Sequence, residues 1–431
     1  MRNASGGKLA PGRGLPGKEM RKAQGKGFKL LSHCDFGNNT GDVMQMMLKG
    51  NHLICGHIGL TGRGLTILDV SDSRNPRIVN QLPSPLNTHN TKVQLAGDIL
   101  IVNNEQTGTA VPFRAGVDIY DASRLPELRH ISFFPVGGKG VHRMWFADGR
   151  YAYIPGGDDE YIDQFLRILD LSDPAKPREA GRWWWPGMRK DEARDWFQVN
   201  ISTFKKKKDG SYVRPPDAPP GMAATRVALH TPYGFGDRCY CAWWDCGFLI
   251  LDTSDKSRPK LVSRLDLPFS ENNCTHSILF LPERKLCVVV DEFVAYDCED
   301  MPKQIRVVDI GDEKHPKVLS MLPIPQGDYY DHGGRFGPHN LHENRPGSLI
   351  DPDHVYQCYF NGGLRVYNIK DPRNPKEVAH YIPPTPNRKP VHIMNCEVVQ
   401  SQVDDVYVAT DGRVFLSERL GDGVWILEKE F

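Results

Sequence analysis

The feature that most restricts the fold of this chain is a short apolar segment that ends in Asp, Asn or Glu and recurs seven times. Counted from Asp69, the last residue of the first copy, the spacings are 52, 49, 82, 57, 59 and 60 residues. Regular self-similarity at such a period is typical of a repeat architecture with one structural unit per copy. The copies occupy residues 64–69, 117–121, 166–170, 248–252, 305–309, 364–368 and 424–428.

Each copy combines residues that favour a strand with residues that end one. Branched and aromatic side chains favour strands, and a terminal Asp or Asn accepts hydrogen bonds from the backbone two residues on. A proline then starts the next strand and lacks an amide donor, so that strand is predicted to be outermost in its sheet. These prolines are Pro76, Pro126, Pro177, Pro259, Pro316 and Pro375. Seven such units of four strands predict an all-β fold, a seven-bladed β-propeller.

The two chain ends are predicted to share the last blade. Residues 28–36 resemble the strand that follows each repeat proline, and the chain stops at Phe431 with no room for such a strand after the last copy. An N-terminal outer strand would therefore close the ring. We predict a disordered tail over residues 1–27, one propeller over 28–431, and lid-like insertions at 183–226 and 326–337.

Composition restricts the partners. The chain has 54 Lys and Arg against 53 Asp and Glu, a formal net charge of +1, which gives no reason to expect a nucleic-acid partner. No run approaches the roughly 20 apolar residues that cross a bilayer, and no N-terminal stretch has signal-peptide character. We therefore expect a soluble, cytoplasmic protein with no membrane partner and free thiols, because its ten cysteines form no CxxC pair.

The repeat resembles the LVIVD repeat found in bacterial propellers. Residues 68–72, 169–174 and 251–255, which read LDVSD, LDLSDP and LDTSD, show the likeness best. The resemblance extends over nearly the whole chain and implies the propeller fold. It assigns no reaction.

A histidine precedes or enters the predicted innermost strand in six of the seven blades. Innermost strands line the central channel, so equivalent positions form a circle around its axis. Neutral imidazole is a common protein ligand for transition metals, and the six side chains predict a site for one divalent ion, Fe, Cu, Mn or Zn. In the alternative reading, the histidines bind backbone groups of neighbouring blades and line a wet channel. They are His89, His142, His230, His276, His339 and His392.

Other polar residues are predicted to surround this site. The loops between the second and third strands open on the same face, and a carboxylate bonded to a ligand histidine would orient it. The expected supporting residues are Asp42, His57, Glu105, Asp245, Asp291 (with its neighbour Glu292) and Glu418. Histidines that do not bind the ion are free for acid–base chemistry, for which we single out His142 and His339. The second insertion adds His332, Tyr330 and Arg335 as substrate contacts.

The plan is similar to that of the carotenoid cleavage oxygenases, the selenium-binding/methanethiol oxidase proteins and the divalent-metal propeller lyases. That architectural likeness implies a metalloenzyme. We expect an oxidoreductase or oxygenase acting on a small aromatic or apolar molecule, because an imidazole-rich site suits Fe or Cu. One alternative is a divalent-metal lyase or hydrolase, which a carboxylate entering the site would favour. The other is a non-enzymatic scaffold. Substrate and oligomeric state stay open.

Overall fold

The computed structural model describes residues 21–37, 41–59, 61–192, 226–265, 274–294, 296, 302–393 and 396–431. The first insertion, 183–226, therefore lies largely outside the described residues. So does most of the predicted tail, but its last part is a strand, Gln24–Lys26. The prediction of disorder up to residue 27 is wrong at that end, because this strand pairs with residues 380–382.

The described residues form 32 strands and two short 3-10 helices, Pro282–Arg284 and Tyr329–His332. Neither helix has the length or apolar character needed to span a membrane. The first half of the strands are β1 (Gln24–Lys26), β2 (Phe28–Cys34), β3 (Val43–Lys49), β4 (His52–His57), β5 (Arg63–Asp69), β6 (Arg77–Pro83), β7 (Thr88–His89), β8 (Val93–Ala96), β9 (Ile99–Gln106), β10 (Gly116–Asp121), β11 (Arg129–Pro135), β12 (Gly137–Val141), β13 (Trp145–Phe146), β14 (Tyr151–Gly157), β15 (Phe165–Asp170) and β16 (Arg178–Trp183). The second half are β17 (Thr231–Phe235), β18 (Arg238–Trp243), β19 (Gly247–Asp252), β20 (Lys260–Arg264), β21 (Thr275–Leu281), β22 (Leu286–Asp291), β23 (Ile305–Asp309), β24 (Lys317–Met321), β25 (His354–Cys358), β26 (Leu364–Asn368), β27 (Lys376–Ile382), β28 (Val391–Ile393), β29 (Cys396–Val398), β30 (Val403–Val408), β31 (Arg413–Glu418) and β32 (Gly423–Lys429).

Six of the seven repeat segments form the third strand of an antiparallel unit, and the segment of the sixth unit, β26, forms the second strand. The units, written from inside outwards, are β3-β4-β5-β6, β8-β9-β10-β11, β13-β14-β15-β16, β17-β18-β19-β20, β21-β22-β23-β24, β25-β26-β27 with β1 outside, and β30-β31-β32 with β2 outside. Strand β12 pairs with both β9 and β14 and so joins the second unit to the third. We number these units sheets 1 to 7 in chain order. The all-β propeller architecture predicted from the repeat is confirmed.

The turn chemistry of the repeat also follows the prediction. Oδ1 of Asp69 accepts a hydrogen bond from the backbone N–H of Ser71 at 3.0 Å, two residues on. In the second repeat, Oδ1 of Asp121 accepts the corresponding hydrogen bond from the backbone N–H of Ser123 at 2.8 Å. These bonds to the charged form lower the pKa of both carboxyl groups below the usual range. The carboxylate therefore stays ionised and ends the strand at a defined residue.

The strands that follow the repeat prolines lie at the outer edge of their sheets with one exception. Strands β6, β11, β16, β20 and β24 each have a neighbour on one side. Strand β27 instead lies between β26 and β1. Its pairing with β1 begins at His380, five residues after Pro375, so the missing proline amide does not interrupt that ladder. The prediction that every such strand is outermost is therefore wrong for β27.

The predicted N-terminal outer strand is confirmed. Strand β2 pairs with β32 from Phe28 opposite Lys429 to Cys34 opposite Val424. Sheet 7 also contacts sheet 1, because the Ser417 hydroxyl donates to the Met44 carbonyl at 2.7 Å. Sequentially distant ends of the chain thus meet in one sheet, which leaves β32 without a free edge.

Apolar side chains fill the spaces between neighbouring sheets. Trp145 of sheet 3 stacks on Tyr233 of sheet 4 with ring centroids 3.8 Å apart. Phe36, just beyond β2, is 4% exposed and packs with buried residues of sheets 1 and 7, such as Val43 and Val424. The N-terminal segment therefore contributes to the core as well as to strand pairing.

We predict that Phe36→Ala lowers the free energy of unfolding by about 3–5 kcal/mol, because a buried aromatic ring is replaced by a cavity between two sheets. Leu30→Ala on β2, whose side chain is 42% exposed, is the matched control and should change stability by less than about 0.5 kcal/mol. Denaturant unfolding of both variants checks this. Equal effects of the two substitutions would contradict the packing described for Phe36.

Candidate metal centre

Four of the six predicted histidines lie side by side at the centre of the molecule. The ring centroids of His142 and His230 are 4.7 Å apart, those of His230 and His276 are 3.9 Å apart, and those of His276 and His339 are 4.5 Å apart. These residues come from the innermost segments of sheets 3, 4, 5 and 6. We call them the histidine cluster. These four imidazoles converge.

Two Nδ1 atoms of the cluster face backbone carbonyl oxygens. Nδ1 of His230 lies 2.8 Å from the carbonyl oxygen of His276, and Nδ1 of His339 lies 3.0 Å from the carbonyl oxygen of Asp404. A carbonyl oxygen can only accept, so both Nδ1 atoms carry the proton and donate. Nε2 of each ring is then left with its lone pair, which is the tautomer that binds a metal ion through Nε2.

The other two members have different Nδ1 partners. Nδ1 of His142 lies 2.6 Å from Oε2 of Glu105, a carboxylate that pairs with the ring. Burial raises the pKa of Glu105, but the charge of His142 and its hydrogen bond outweigh this, so the pKa lies below the usual value. Nδ1 of His276 lies 2.6 Å from the Ser277 hydroxyl, which can donate or accept. Of the predicted supporting carboxylates, Glu105 contacts the cluster.

A second carboxylate, Glu292, enters the cluster. One ligand atom from each of His230, His276 and Glu292 lies within 4.8 Å of the others. Oε2 of Glu292 is 3.5 Å from Nε2 of His276, and its Oε1 is 3.6 Å from Nε2 of His339. Two atoms that each bind a tetrahedral ion at about 2.1 Å are separated by about 3.4 Å. The spacing of these groups therefore fits a shared ion.

Burial keeps the central imidazoles neutral. It lowers the pKa of His230, His276 and His339 well below the usual value, and nearby positive charge lowers the pKa of all three further. All three side chains are at most 3% exposed. Neutral imidazole is the form that can donate its lone pair to a metal ion.

Below the cluster, buried ion pairs cross the centre of the molecule. Arg143 of sheet 3 donates to Asn340 and, at 2.6 Å, to Glu343 on the opposite side, in sheet 6. Arg345 donates to Asp405 of sheet 7 at 2.8 Å and to Glu343 at 3.1 Å. We call Arg143, Glu343, Arg345 and Asp405 the channel floor. None of these residues was predicted from the sequence, although the position of Arg143 directly after His142 is a signal that could have identified it.

Two of the six predicted ring histidines do not join the cluster. His89 is half-buried, and its Nδ1 donates to the carbonyl of Ile58 at 2.5 Å. The charge of His89 contributes to the lowered pKa of Glu105, the carboxylate that contacts His142. His392 is exposed and lies opposite Glu397 in the two-stranded ribbon of β28 and β29. The prediction that His392 enters the innermost strand is wrong, because that strand is β30 and starts at Val403.

The predicted pair Asp42 and His57 forms its own site away from the cluster. Nδ1 of His57 lies 3.0 Å from Oδ1 of Asp42, and Nε2 lies 2.9 Å from the Thr66 hydroxyl. Both ring nitrogens are thus occupied within sheet 1, and all three side chains are buried. The expectation that these two residues support the ring histidines is wrong, since they satisfy each other.

Asp245 and Glu418 bind backbone amides instead of ring histidines. Asp245 accepts the N–H groups of Arg226 and Cys274, each at 2.8 Å. Glu418 accepts three backbone N–H groups, the shortest bond being 2.7 Å from Gln402. Burial raises the pKa of Asp245 to about 6 and that of Glu418 to about 7. Their predicted contacts with ring histidines are absent from the described residues, because both carboxylates instead hold loop backbone.

Of the neighbouring carboxylates Asp291 and Glu292, both expected near the ring histidines, one lies at the cluster and the other does not. Asp291 accepts hydrogen bonds from Arg306 at 2.6 Å and from the Thr275 hydroxyl at 3.0 Å, inside sheet 5. Successive residues of a strand point to opposite faces, so the next residue, Glu292, faces the cluster. The prediction of a supporting role is therefore wrong for Asp291, whereas Glu292 lies at the cluster.

Of the three candidates in the second insertion, Arg335 reaches the site. Its Nη1 donates to Oε1 of Glu292 at 3.0 Å, and its guanidinium lies over the rings of Tyr296 and Phe360. Tyr330 is 42% exposed and packs its ring edge on Phe336. His332 pairs with Asp328 at 3.2 Å. The predicted placement of Tyr330 and His332 at the site is wrong, because the short helix that holds them turns both towards their own loop.

Comparisons with known proteins agree with this architecture. A family model described as LVIVD repeat matches residues 40–82, 146–183 and 235–266. A search of the curated proteins finds no match.

Two solved structures of propellers are similar to this chain. One is the crystal structure of the RRP9 WD40 repeats, with a TM-score of 0.54 and 10% identity over 95% of this chain and 99% of that chain. The other is the β-propeller domain of Cps50 (Swd1) from Myceliophteria thermophila, with a TM-score of 0.50 and 9% identity over 90% of this chain and 98% of that chain. Likeness at such identity concerns the fold alone. The chain is thus a β-propeller protein that carries LVIVD repeats.

Proposed function

We propose that this protein is a metal-dependent enzyme in which His230, His276 and Glu292 hold one divalent transition-metal ion, Fe, Cu, Mn or Zn. His339 lies beside this set and can serve as a fourth ligand. The main support is the pairing of each Nδ1 atom of His230 and His339 with a backbone carbonyl, which leaves the Nε2 lone pairs in the interior beside Glu292. Ligand histidines in metalloproteins are oriented by bonds of this kind.

The composition of the ligand set favours an oxidoreductase. Two imidazoles and one carboxylate with open positions are typical of non-haem Fe(II) oxygenases, and incomplete protein ligation is typical of catalytic rather than structural sites. When bound, such an ion would act as a Lewis acid and, if iron or copper, as a redox centre. Aromatic rings flank the set, since Trp244 lies against His230 and Phe360 stacks on His339. These rings favour a small aromatic or apolar substrate.

The protein's own groups supply positioning and proton transfer. Arg335 donates to Glu292 and holds its carboxylate towards the cluster. Glu105 holds His142 through Nδ1, which leaves Nε2 as a proton acceptor beside His230. The carboxylate also stabilises the imidazolium that forms when His142 accepts a proton.

A second candidate function rests on the contact between His142 and Glu105. His142 with Glu105 is an acid–base pair next to a potential Lewis acid, which suits a divalent-metal lyase or hydrolase. The entry of a carboxylate, Glu292, is the observation that favours this class. The identity of the metal separates the two functions: native protein containing only Zn or Mg would count against an oxidoreductase. Iron or copper would count against the lyase or hydrolase.

We predict that the protein purified without chelator contains about one transition-metal ion per chain. His230→Ala, His276→Ala and Glu292→Ala should each weaken metal binding by more than the roughly 10- to 100-fold typical of changes outside the ligand set. Elemental analysis of the dialysed proteins measures this, with thermal unfolding to verify folding. His392→Ala, at an exposed position, is the matched control and should keep the metal.

The absence of stoichiometric metal from the wild-type protein would contradict the proposed function and leave a scaffold role. A loss of metal in His392→Ala as large as that in His230→Ala would contradict the assignment of ligands.

We also predict the tautomers of two histidines in metal-free protein. His230 and His339 should carry the ring proton on Nδ1, because each Nδ1 faces a carbonyl oxygen. Long-range ¹H–¹⁵N NMR spectra of histidine-labelled protein distinguish the two tautomers, and His230→Gln and His339→Gln assign the signals. Protonation at Nε2 in either ring would show that its lone pair is not available to an ion.

A further inference from the structure

Lys92 is a buried cation beneath the histidine cluster. It is 1% exposed and immediately precedes β8 in sheet 2. Its backbone N–H donates to Oδ1 of Asn103 at 2.7 Å, which fixes the main chain at this point. Within the part of the chain that the structure describes, its amine forms no ion pair or side-chain hydrogen bond. Such a buried ammonium group is unusual, since burying an unpaired charge is costly.

Three buried carboxylates of this region, Asp404, Asp405 and Glu343, are already paired with arginines. Asp405 pairs with Arg345 at 2.8 Å, and Asp404 pairs with Arg419 at 3.4 Å. Glu343 is held by Arg143 and Arg345. With Lys92, four cationic side chains face three carboxylates in this region, so one positive charge is left without a partner.

Hydrogen bonds tie the main chain of Lys92 to the residue before His142, because Asn103, which accepts its N–H, donates from Nδ2 to the carbonyl of Val141 at 2.8 Å. Burial lowers the pKa of Lys92 to about 8, the charge of Arg143 lowers it further, and Asp404 and Asp405 partly oppose this. The charge of Lys92 in turn lowers the pKa of His230, His276 and His339. At neutral pH the amine is still mostly protonated. A divalent ion in the cluster would add positive charge to a region that already has a surplus.

We propose that Lys92 binds a carboxylate group of the substrate, between the channel floor and the histidine cluster. This inference rests on the proposed function and names the substrate class: a small organic acid whose reacting part reaches the metal ligands. A carboxylate fits better than a phosphate group, because the surplus is a single charge and the neighbouring arginines are engaged. The amine of Lys92 offers three donors to one anion without competition from a guanidinium group.

The test uses acetate as the probe, with inorganic phosphate for comparison. Thermal unfolding is followed against added sodium acetate at constant ionic strength, because a ligand that binds the folded state raises the midpoint in proportion to its affinity. We expect acetate to stabilise the wild-type protein and phosphate to do so less. Lys92→Met should weaken acetate binding by about 10-fold or more, since a hydrogen-bonded charge is lost.

The controls separate this inference from the metal site. Lys317→Met removes a charge from an exposed position and should leave acetate binding unchanged. Lys92→Met should keep its metal and unfold at a temperature at least as high as wild type in the absence of acetate, because an uncompensated buried charge is removed. Equal acetate affinity in the two variants, or a preference for phosphate, would overturn the inference. Loss of metal from the wild type, with the acetate difference intact, would overturn the proposed function alone.

Discussion

The hydrogen bonds from histidine Nδ1 atoms to the neighbouring sheet are the interactions on which the centre of this protein depends. His230 donates from sheet 4 to sheet 5, His339 from sheet 6 to sheet 7, and His142 from sheet 3 to Glu105 of sheet 2. Each bond joins adjacent sheets and also fixes a tautomer. One set of contacts thus stabilises the ring arrangement and leaves the Nε2 lone pairs in the interior, so the fold and the site have a common origin.

The buried charges beneath the cluster complete the site. Arg143 spans the centre to Glu343, and Arg345 extends the network to Asp405. Replacing such pairs with apolar residues is often neutral or stabilising, so stability alone does not explain their presence. Their pairing gives a more specific account, because the arginines occupy the buried carboxylates of this region and leave Lys92 as a surplus positive charge.

The repeat allowed the architecture and most of the cluster to be predicted, since a symmetric fold carries equivalent residues to equivalent places. This reasoning located β2 in the last sheet and brought His142, His230, His276 and His339 together. It failed where the chain departs from symmetry.

Three departures from symmetry explain the errors. His392 lies on an extra ribbon before the last sheet, and the choice between Asp291 and Glu292 depends on strand phase at a loop, which a spacing argument does not resolve. Lys92 and Arg143 acquire their roles from contacts across the centre, between segments far apart in sequence.

The most direct test of the central claim is an anomalous difference map from crystals of the untreated protein, collected at the absorption edge of the metal found. The account predicts one peak at about 2.0–2.2 Å from Nε2 of His230 and from a carboxylate oxygen of Glu292. A map with no peak in the histidine cluster, or with its peak at another group of residues, would contradict it.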